Sequence, residues 1–362
     1  MKRIPIWVKG IVIIVVLYLF FLQPIPYYIE RPGGALELDT MIEVDGEYAE
    51  DPGTYMMTTV SIMQATPFTY LSQFLPYTDV VPESALFGEI ENYEQYNMLQ
   101  RYYMESSIHS AVVAAFDAAE QPYDLTYNGV YVMSVTENSS FAESLQMGDV
   151  ITGIDGTTFE NTEAFMEYIK NQEVGQTVSI EYQRNGTDYV SEGELVQLEE
   201  TGQPGIGITL VDQSTVETDP EVSVHSGEIG GPSAGLMYSL QIYSQITQSN
   251  LKDGRRIAGT GTIADDGSVG PIGGIDKKIV AADKEGAVIF FAPHNELEPE
   301  LKEQYPEYET NYEIAVNTAE DIGTDMVIVP VQSLNDAIDY LEQSSVEASL
   351  PSSKQVNNLL VA

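Results

Sequence analysis

Apolar positions first gather into one uninterrupted run near the start of the chain. Residues 10–22, GIVIIVVLYLFFL, follow Lys2, Arg3 and Lys9, and with residues 4–8 they give about 19 mostly apolar positions, the length of a single membrane-spanning helix. Gln23-Pro24-Ile25-Pro26 comes next instead of a small-residue cleavage pattern, so an anchor that is kept is expected over a signal that is removed. A buried core helix is the competing reading. Basic residues flank only one end, so residues after Tyr28 are expected on the extracytoplasmic side of the cell membrane.

Periodicity then changes. Residues 56–63, MMTTVSIM, read as a strand, a Pro- and Tyr-rich stretch follows, and residues 89–120 read as a helix ending in paired alanines. His109 lies on that helix with no motif around it, which favours a packed or surface histidine over a catalytic one. The Ser-rich tail after Glu342 reads as flexible.

Residues 124–198 carry a compact alternating pattern. A strand over 129–135, a short helix from Ser140, the run Leu145 to Ile151 with Gly148-Asp149, the turn at Asp155-Gly156, a helix over 161–171 and a strand over 177–182 succeed one another. That order resembles a bacterial PDZ domain. The resemblance implies capture of an extended chain end by strand addition, with backbone N–H groups near Gly129 and Val130 as the carboxylate cradle. A spacer that binds nothing stays open beside it.

Two further segments carry chemistry. Gly230-Gly231-Pro232-Ser233-Ala234-Gly235 precedes a helical run over 236–246, so Ser233 is expected at a helix N-terminus, where free N–H groups stabilise an oxyanion. The same residues are also an ordinary helix start with a serine cap. They spell G-x-S-x-G as well, and His294 with Asp276 or Asp283 would complete an α/β-hydrolase order, but a glycine-rich loop stands where that fold needs a strand. Downstream come Thr260-Gly261-Thr262-Ile263 and then Gly267-Ser268-Val269 through Ile272-Gly273-Gly274-Ile275-Asp276-Lys277-Lys278 to Ala281-Ala282. The two segments together resemble the proteolytic domain of Lon-type proteases over about residues 205–345. With the anchor and the PDZ pattern, the resemblance narrows to membrane-anchored, PDZ-containing Lon-like proteases of Gram-positive bacteria. It implies Ser233 as nucleophile, Lys278 as general base and Thr260 as a residue orienting the lysine.

The choice of lysine also follows without the family. In a helix over 275–284, Ile275, Lys278, Ile279 and Ala282 share one apolar face, whereas Lys277, Ala281 and Lys284 fall on a side expected to be hydrated. A lysine works as a base only if burial lowers its pKa by about 3 units, or about 4 kcal/mol. A snorkelling structural lysine is the bland alternative.

Composition narrows the function. Across 362 residues the formal net charge is −41, which excludes a general nucleic-acid binder, and the chain holds no cysteine and three histidines, which leaves little for a metal centre; no metal or cofactor is expected. No G-x-x-x-x-G-K-[ST] occurs, so nucleotide is not expected as a partner and substrates should be flexible already: secreted peptides or loose segments of extracytoplasmic proteins. The expected fold class is α+β, divided into 1–28 (stub and anchor), 29–120 (strands and helix packing on the protease domain), 124–198 (PDZ), 205–345 (Lon-like) and 346–362 (tail). The expected function is an ATP-independent serine endopeptidase with a Ser-Lys dyad, and the rival is an inactive membrane-tethered PDZ scaffold.

Overall fold

The computed structural model describes residues 5–88, 90, 93–198 and 201–349. Helix α1 (Ile6–Phe21) precedes strands β1 (Tyr27–Glu37), β2 (Thr54–Gln64) and β3 (Asp79–Pro82) and the long helix α2 (Tyr93–Ala118). Next come β4 (Tyr123–Val135), β5 (Val150–Ile154), α3 (Thr162–Lys170), β6 (Thr177–Arg184), β7 (Thr187–Glu194) and β8 (Ile208–Thr218). The last part holds α4 (Gly235–Thr247), β9 (Arg256–Gly259), α5 (Ile275–Lys284), β10 (Ile289–Pro293), α6 (Asn311–Ile322), β11 (Val327–Val331) and α7 (Leu334–Ser349). The chain divides into two compact units, residues 1–93, 103–122 and 220–362 in one, and 94–102 and 123–219 in the other.

The first unit is built on a mixed sheet in the order β11-β10-β9-β2-β1-β3. β9 pairs in parallel with β10 and with β2, Ile257 opposite Ile289 on one side and Tyr55 on the other, while β1 runs antiparallel to β2. The upstream strands thus complete the same sheet as the downstream ones. Strands β9 and β10 are buried along almost their whole length, as parallel strands covered on both faces are. Against one face packs a core of Met56, Ala258, Ile275, Ile279, Ala282, Phe290 and Ala315. α4 buries Leu236, Met237, Tyr238, Leu240 and Ile242, so it is enclosed where the other helices keep a wet side.

The second unit is a five-stranded antiparallel sheet, β8-β4-β5-β6-β7, closed by α3 over a core of Val132, Phe141, Ile151, Ile154, Phe165, Val178 and Ile180. Asn161 caps α3 by accepting from the Ala164 N–H at 2.8 Å. Asp149, fully buried, is held by two Arg184 contacts of 2.7 Å, Nε to Oδ1 and Nη2 to Oδ2. That fork is what the Gly148-Asp149 signal needs structurally.

Several expectations are corrected. The segment expected to span the membrane forms a 16-residue helix, a rise of about 24 Å against the about 30 Å of a hydrocarbon core, and among the described residues no helix is long and apolar enough to cross a membrane. Pro5 precedes α1 and Pro24 and Pro26 follow Leu22, so proline bounds it at both ends. The helix expected from Ser140 is a series of turns, because Ser139 and Ser140 spend their hydroxyls on the Ile206 and Glu194 carbonyls. The Ser-rich segment after Glu342 continues α7 through Ser349, with Ser344 accepting from Arg255 at 2.7 Å; the rest of the expected tail lies outside the described residues.

Lys252 is buried without exposure in the first unit, its Nζ 2.6 Å from Asp39 and 2.9 Å from Asp51. Lys252→Met leaves both carboxylates unpaired and is expected to cost about 3 kcal/mol, the low end for a broken buried pair because Asp51 is 32% exposed and rehydrates. Urea denaturation checks this; an unchanged midpoint refutes it.

Candidate active site

Ser233 sits in the turn ahead of α4, which begins at Gly235 with Ala234 as its cap, so the serine precedes the helix instead of occupying its first turn. The approach is tight: a Cβ on Gly235 would lie 2.6 Å from Ile263 and 2.8 Å from the Ser107 hydroxyl. A glycine is therefore required for sterics at that point. The Ser233 carbonyl accepts from the Gly261 N–H and from the Thr260 hydroxyl, each at 2.9 Å. Among the described residues the Ser233 and Ala234 N–H groups have no partner within the chain.

From α5, Lys278 reaches the same place. Its Nζ lies 2.6 Å from Ser233 Oγ and 2.9 Å from Thr260 Oγ1. Thr260 is fully buried and leaves β9 where the strand ends, so its hydroxyl receives from the lysine and donates to the serine's own carbonyl. Lys278 is 3% exposed, and burial alone brings its pKa down to about 7. The structure thus brings Ser233, Lys278 and Thr260 together.

Lys277 is buried too, against expectation. Its Nζ lies 2.5 Å from Asp79 on β3 and 3.1 Å from Asp276. Burial pulls its pKa down, but the two carboxylates outweigh that and hold it above the ordinary value. Lys284 alone of the three stays exposed.

His294 does not reach Ser233. Its ring hydrogen-bonds Thr310 at 3.1 Å and faces Glu296 at 3.6 Å, so the α/β-hydrolase order is not built. His109 is half-buried on α2, and burial holds its pKa below the usual value. Among the described residues no three His, Asp or Glu side chains are grouped to hold a metal.

In the second unit, Gly129 and Val130 lie inside β4, whose edges pair with β8 and β5. Gly129, at φ +142, is explained by the Ile151 carbonyl, with which a Cβ would collide. β5 meets β4 at Val130 and Tyr131 only, so among the described residues Gly129 takes its ladder partner, Gln213, from β8 alone, and the sheet's outer strands are β8 and β7. A pocket of about 200 Å³ beside these residues is lined by Tyr127, Gly129, Ile151, Thr158 and Phe165.

Two family models match. One, the PDZ domain, covers residues 107–191, and the other, the Lon protease C-terminal proteolytic domain, covers residues 210–330. The chain carries a PDZ domain and a Lon-type proteolytic domain, without an ATPase module. Among curated relatives, a Lon protease of Clostridium beijerinckii is 34% identical over 29% of this chain and 13% of its own length. A Lon protease of Parabacteroides distasonis is 29% identical over 44% and 19%. A serine protease Do-like HtrA of Lactobacillus helveticus is 37% identical over 17% and 15%. This chain therefore spans less than a fifth of each of these relatives. A solved PDZ domain of an SdrC-like protein from Listeria monocytogenes is 44% identical over 24% of this chain and 90% of that one, at a TM-score of 0.23.

Sequence reasoning missed two side chains. Asp79 sits 198 positions from Lys277, and Ser107, 125 positions from Pro232, donates to the Pro232 carbonyl at 2.9 Å. Neither contact leaves a local signature.

The buried amine has a thermodynamic cost. Its pKa is near 7 folded and near 10.4 unfolded, so between these values the unfolded chain binds more protons and stability rises with pH. Lys278→Met is expected to melt several degrees above wild type at pH 7, with the gap closing toward pH 10. Calorimetry across that range checks it; a variant that melts lower at pH 7 contradicts the burial argument.

Proposed function

We propose that the chain is an ATP-independent serine endopeptidase in which Ser233 attacks and Lys278 is its general base. The observation that carries this is the dry Lys278 Nζ at 2.6 Å from Ser233 Oγ. As the neutral amine, Nζ takes the Ser233 proton while Oγ bonds to the scissile carbonyl carbon. The resulting ammonium then gives that proton to the leaving amine as the peptide bond breaks. A water, deprotonated by the amine, attacks the acyl-enzyme and returns Ser233. Thr260 fixes Nζ, and the unpartnered Ser233 and Ala234 N–H groups are the donors for the oxyanion.

An inactive scaffold fits less well, since such a chain would gain by replacing the buried amine with an apolar side chain. The match to the Lon proteolytic domain without an ATPase module supports substrates that need no unfolding: secreted peptides or flexible segments of exported proteins. The PDZ domain aids their binding, with backbone N–H groups near Gly129 and Val130, beside the pocket they line, as the cradle for a chain-end carboxylate.

The same proposal places the chain at the cell membrane with its catalytic domain outside. α1 has no buried residue, Phe68 is tied to its end by a 3.0 Å bond to the Phe20 carbonyl, and Leu71, Phe74 and Leu75 beside it are exposed as well. Lipid is the solvent that suits this surface.

Purified protein is expected to cut an unstructured peptide equally with and without ATP, with kcat/KM rising through about pH 7 as Lys278 loses its proton. Lys278→Ala should abolish cleavage and Lys277→Ala keep most of it. An ATP requirement or the reverse mutant pattern sinks the reading. In the same assay, amidating the C-terminus of a substrate captured by the PDZ domain should slow its cleavage; equal rates count against that role. For location, protease added to intact cells should degrade the catalytic domain, and full protection of the chain would refute an outside position.

A further inference from the structure

The helix that supplies Ser107 belongs to neither segment that carries the chemistry, yet its hydroxyl ends beside the nucleophile. Ser107 is 5% exposed, and although a serine inside a helix can spend its hydroxyl on its own backbone, it donates to the Pro232 carbonyl at 2.9 Å. It is the first residue matched by the PDZ model, but it groups with the unit that holds the serine and lysine.

That carbonyl and the Ser233 N–H are two ends of one planar peptide group. Holding the oxygen therefore aims the N–H. The next peptide is held likewise, the Ser233 carbonyl accepting from Gly261 and Thr260 at 2.9 Å each. Between these two clamps, the Ser233 and Ala234 N–H groups keep a set direction and, among the described residues, no partner. The ring of Pro232 fixes its own φ but not the ψ about which the Pro232–Ser233 peptide turns. Among the described residues the one other donor to the Pro232 oxygen is the Gly235 N–H at 3.4 Å, too long to hold it firmly. A donated hydrogen bond at the oxygen also polarises the N–H at the other end of the group.

Resting on the Ser-Lys reading above, we propose that Ser107 is a positioning residue for the oxyanion: it fixes the Pro232–Ser233 peptide so that the Ser233 N–H meets the negative oxygen of the tetrahedral intermediate. It touches neither substrate nor Lys278. Its loss should weaken binding of the tetrahedral state and leave ground-state binding and the lysine's titration alone.

The test compares wild type, Ser107→Ala and Ser107→Thr as full chains, by peptide cleavage and by affinity for a peptide boronate, whose tetrahedral serine adduct puts an oxygen in the oxyanion position. Ser107→Ala is expected to lower kcat about tenfold, less than the hundredfold or more for deleting a donor outright, with KM within twofold. Boronate affinity should fall by the same factor, the pH midpoint should stay near 7, and Ser107→Thr, which keeps the hydroxyl, should recover most of the rate. Unchanged kcat and boronate affinity in Ser107→Ala overturn the proposal while leaving the protease reading intact. Losses shared equally by KM, kcat and melting temperature, without recovery in Ser107→Thr, assign a packing role and overturn it as well. A wild-type chain that neither cuts peptide nor forms the boronate adduct removes the Ser-Lys reading and this proposal with it.

Discussion

An amine kept dry against a hydroxyl is the constraint that the rest of the first unit serves. Lys278 has burial as the single cause of its lowered pKa, so every wall around it must exclude water and no carboxylate can stand close enough to restore the ammonium. Lys277, one residue earlier on the same helix, shows the other outcome. It is no more exposed, but Asp79 and Asp276 meet its Nζ and its pKa goes up. Two lysines of one sequence motif thus take opposite roles through their surroundings, one a fixed cation and one a poised base.

Those walls come from distant parts of the chain. β9 delivers Thr260 at its end, and β2, a parallel neighbour from the N-terminal segment, holds that end: the Thr58 hydroxyl donates to the Gly259 carbonyl at 3.2 Å. Tyr55 of the same strand, fully buried, shares a 3.2 Å hydrogen bond with Ser244 on α4. The residues that match the Lon proteolytic domain begin at 210, yet the sheet that supports the lysine includes strands from 27–82. Removing them would open a parallel edge next to β9 and let water reach the buried amine.

What was legible in the sequence follows from the range of the interactions involved. α5 was readable to the residue, because a helix with Ile275, Lys278, Ile279 and Ala282 on one face has a single phase that buries them. Ser233 and Lys278 meet as the paired segments implied, and α3 begins and ends at its flanking asparagines. The failures are tertiary. Nothing local says that Asp79, 198 positions away, will pair with Lys277, or that the serines at 139 and 140 will bind backbone carbonyls more than fifty positions away. The start of α4 slipped past Ser233 for a related reason. Gly261 and Thr260, from the residues that follow β9, capture the Ser233 carbonyl that a helix would have used.

Charge adds a last requirement. A net charge of −41 favours protonation of any amine it surrounds, which opposes a neutral base at Lys278. Surface carboxylates act weakly through solvent at physiological salt, where the field decays over about 8 Å. The acids that matter are the near ones. On the helix that carries Lys278, Asp276, and from β3 Asp79, are both paired with the Lys277 ammonium. Lys278 takes its lowered pKa from burial alone, so in so acidic a chain its neutral form rests on the exclusion of water and not on any balance of neighbouring charges.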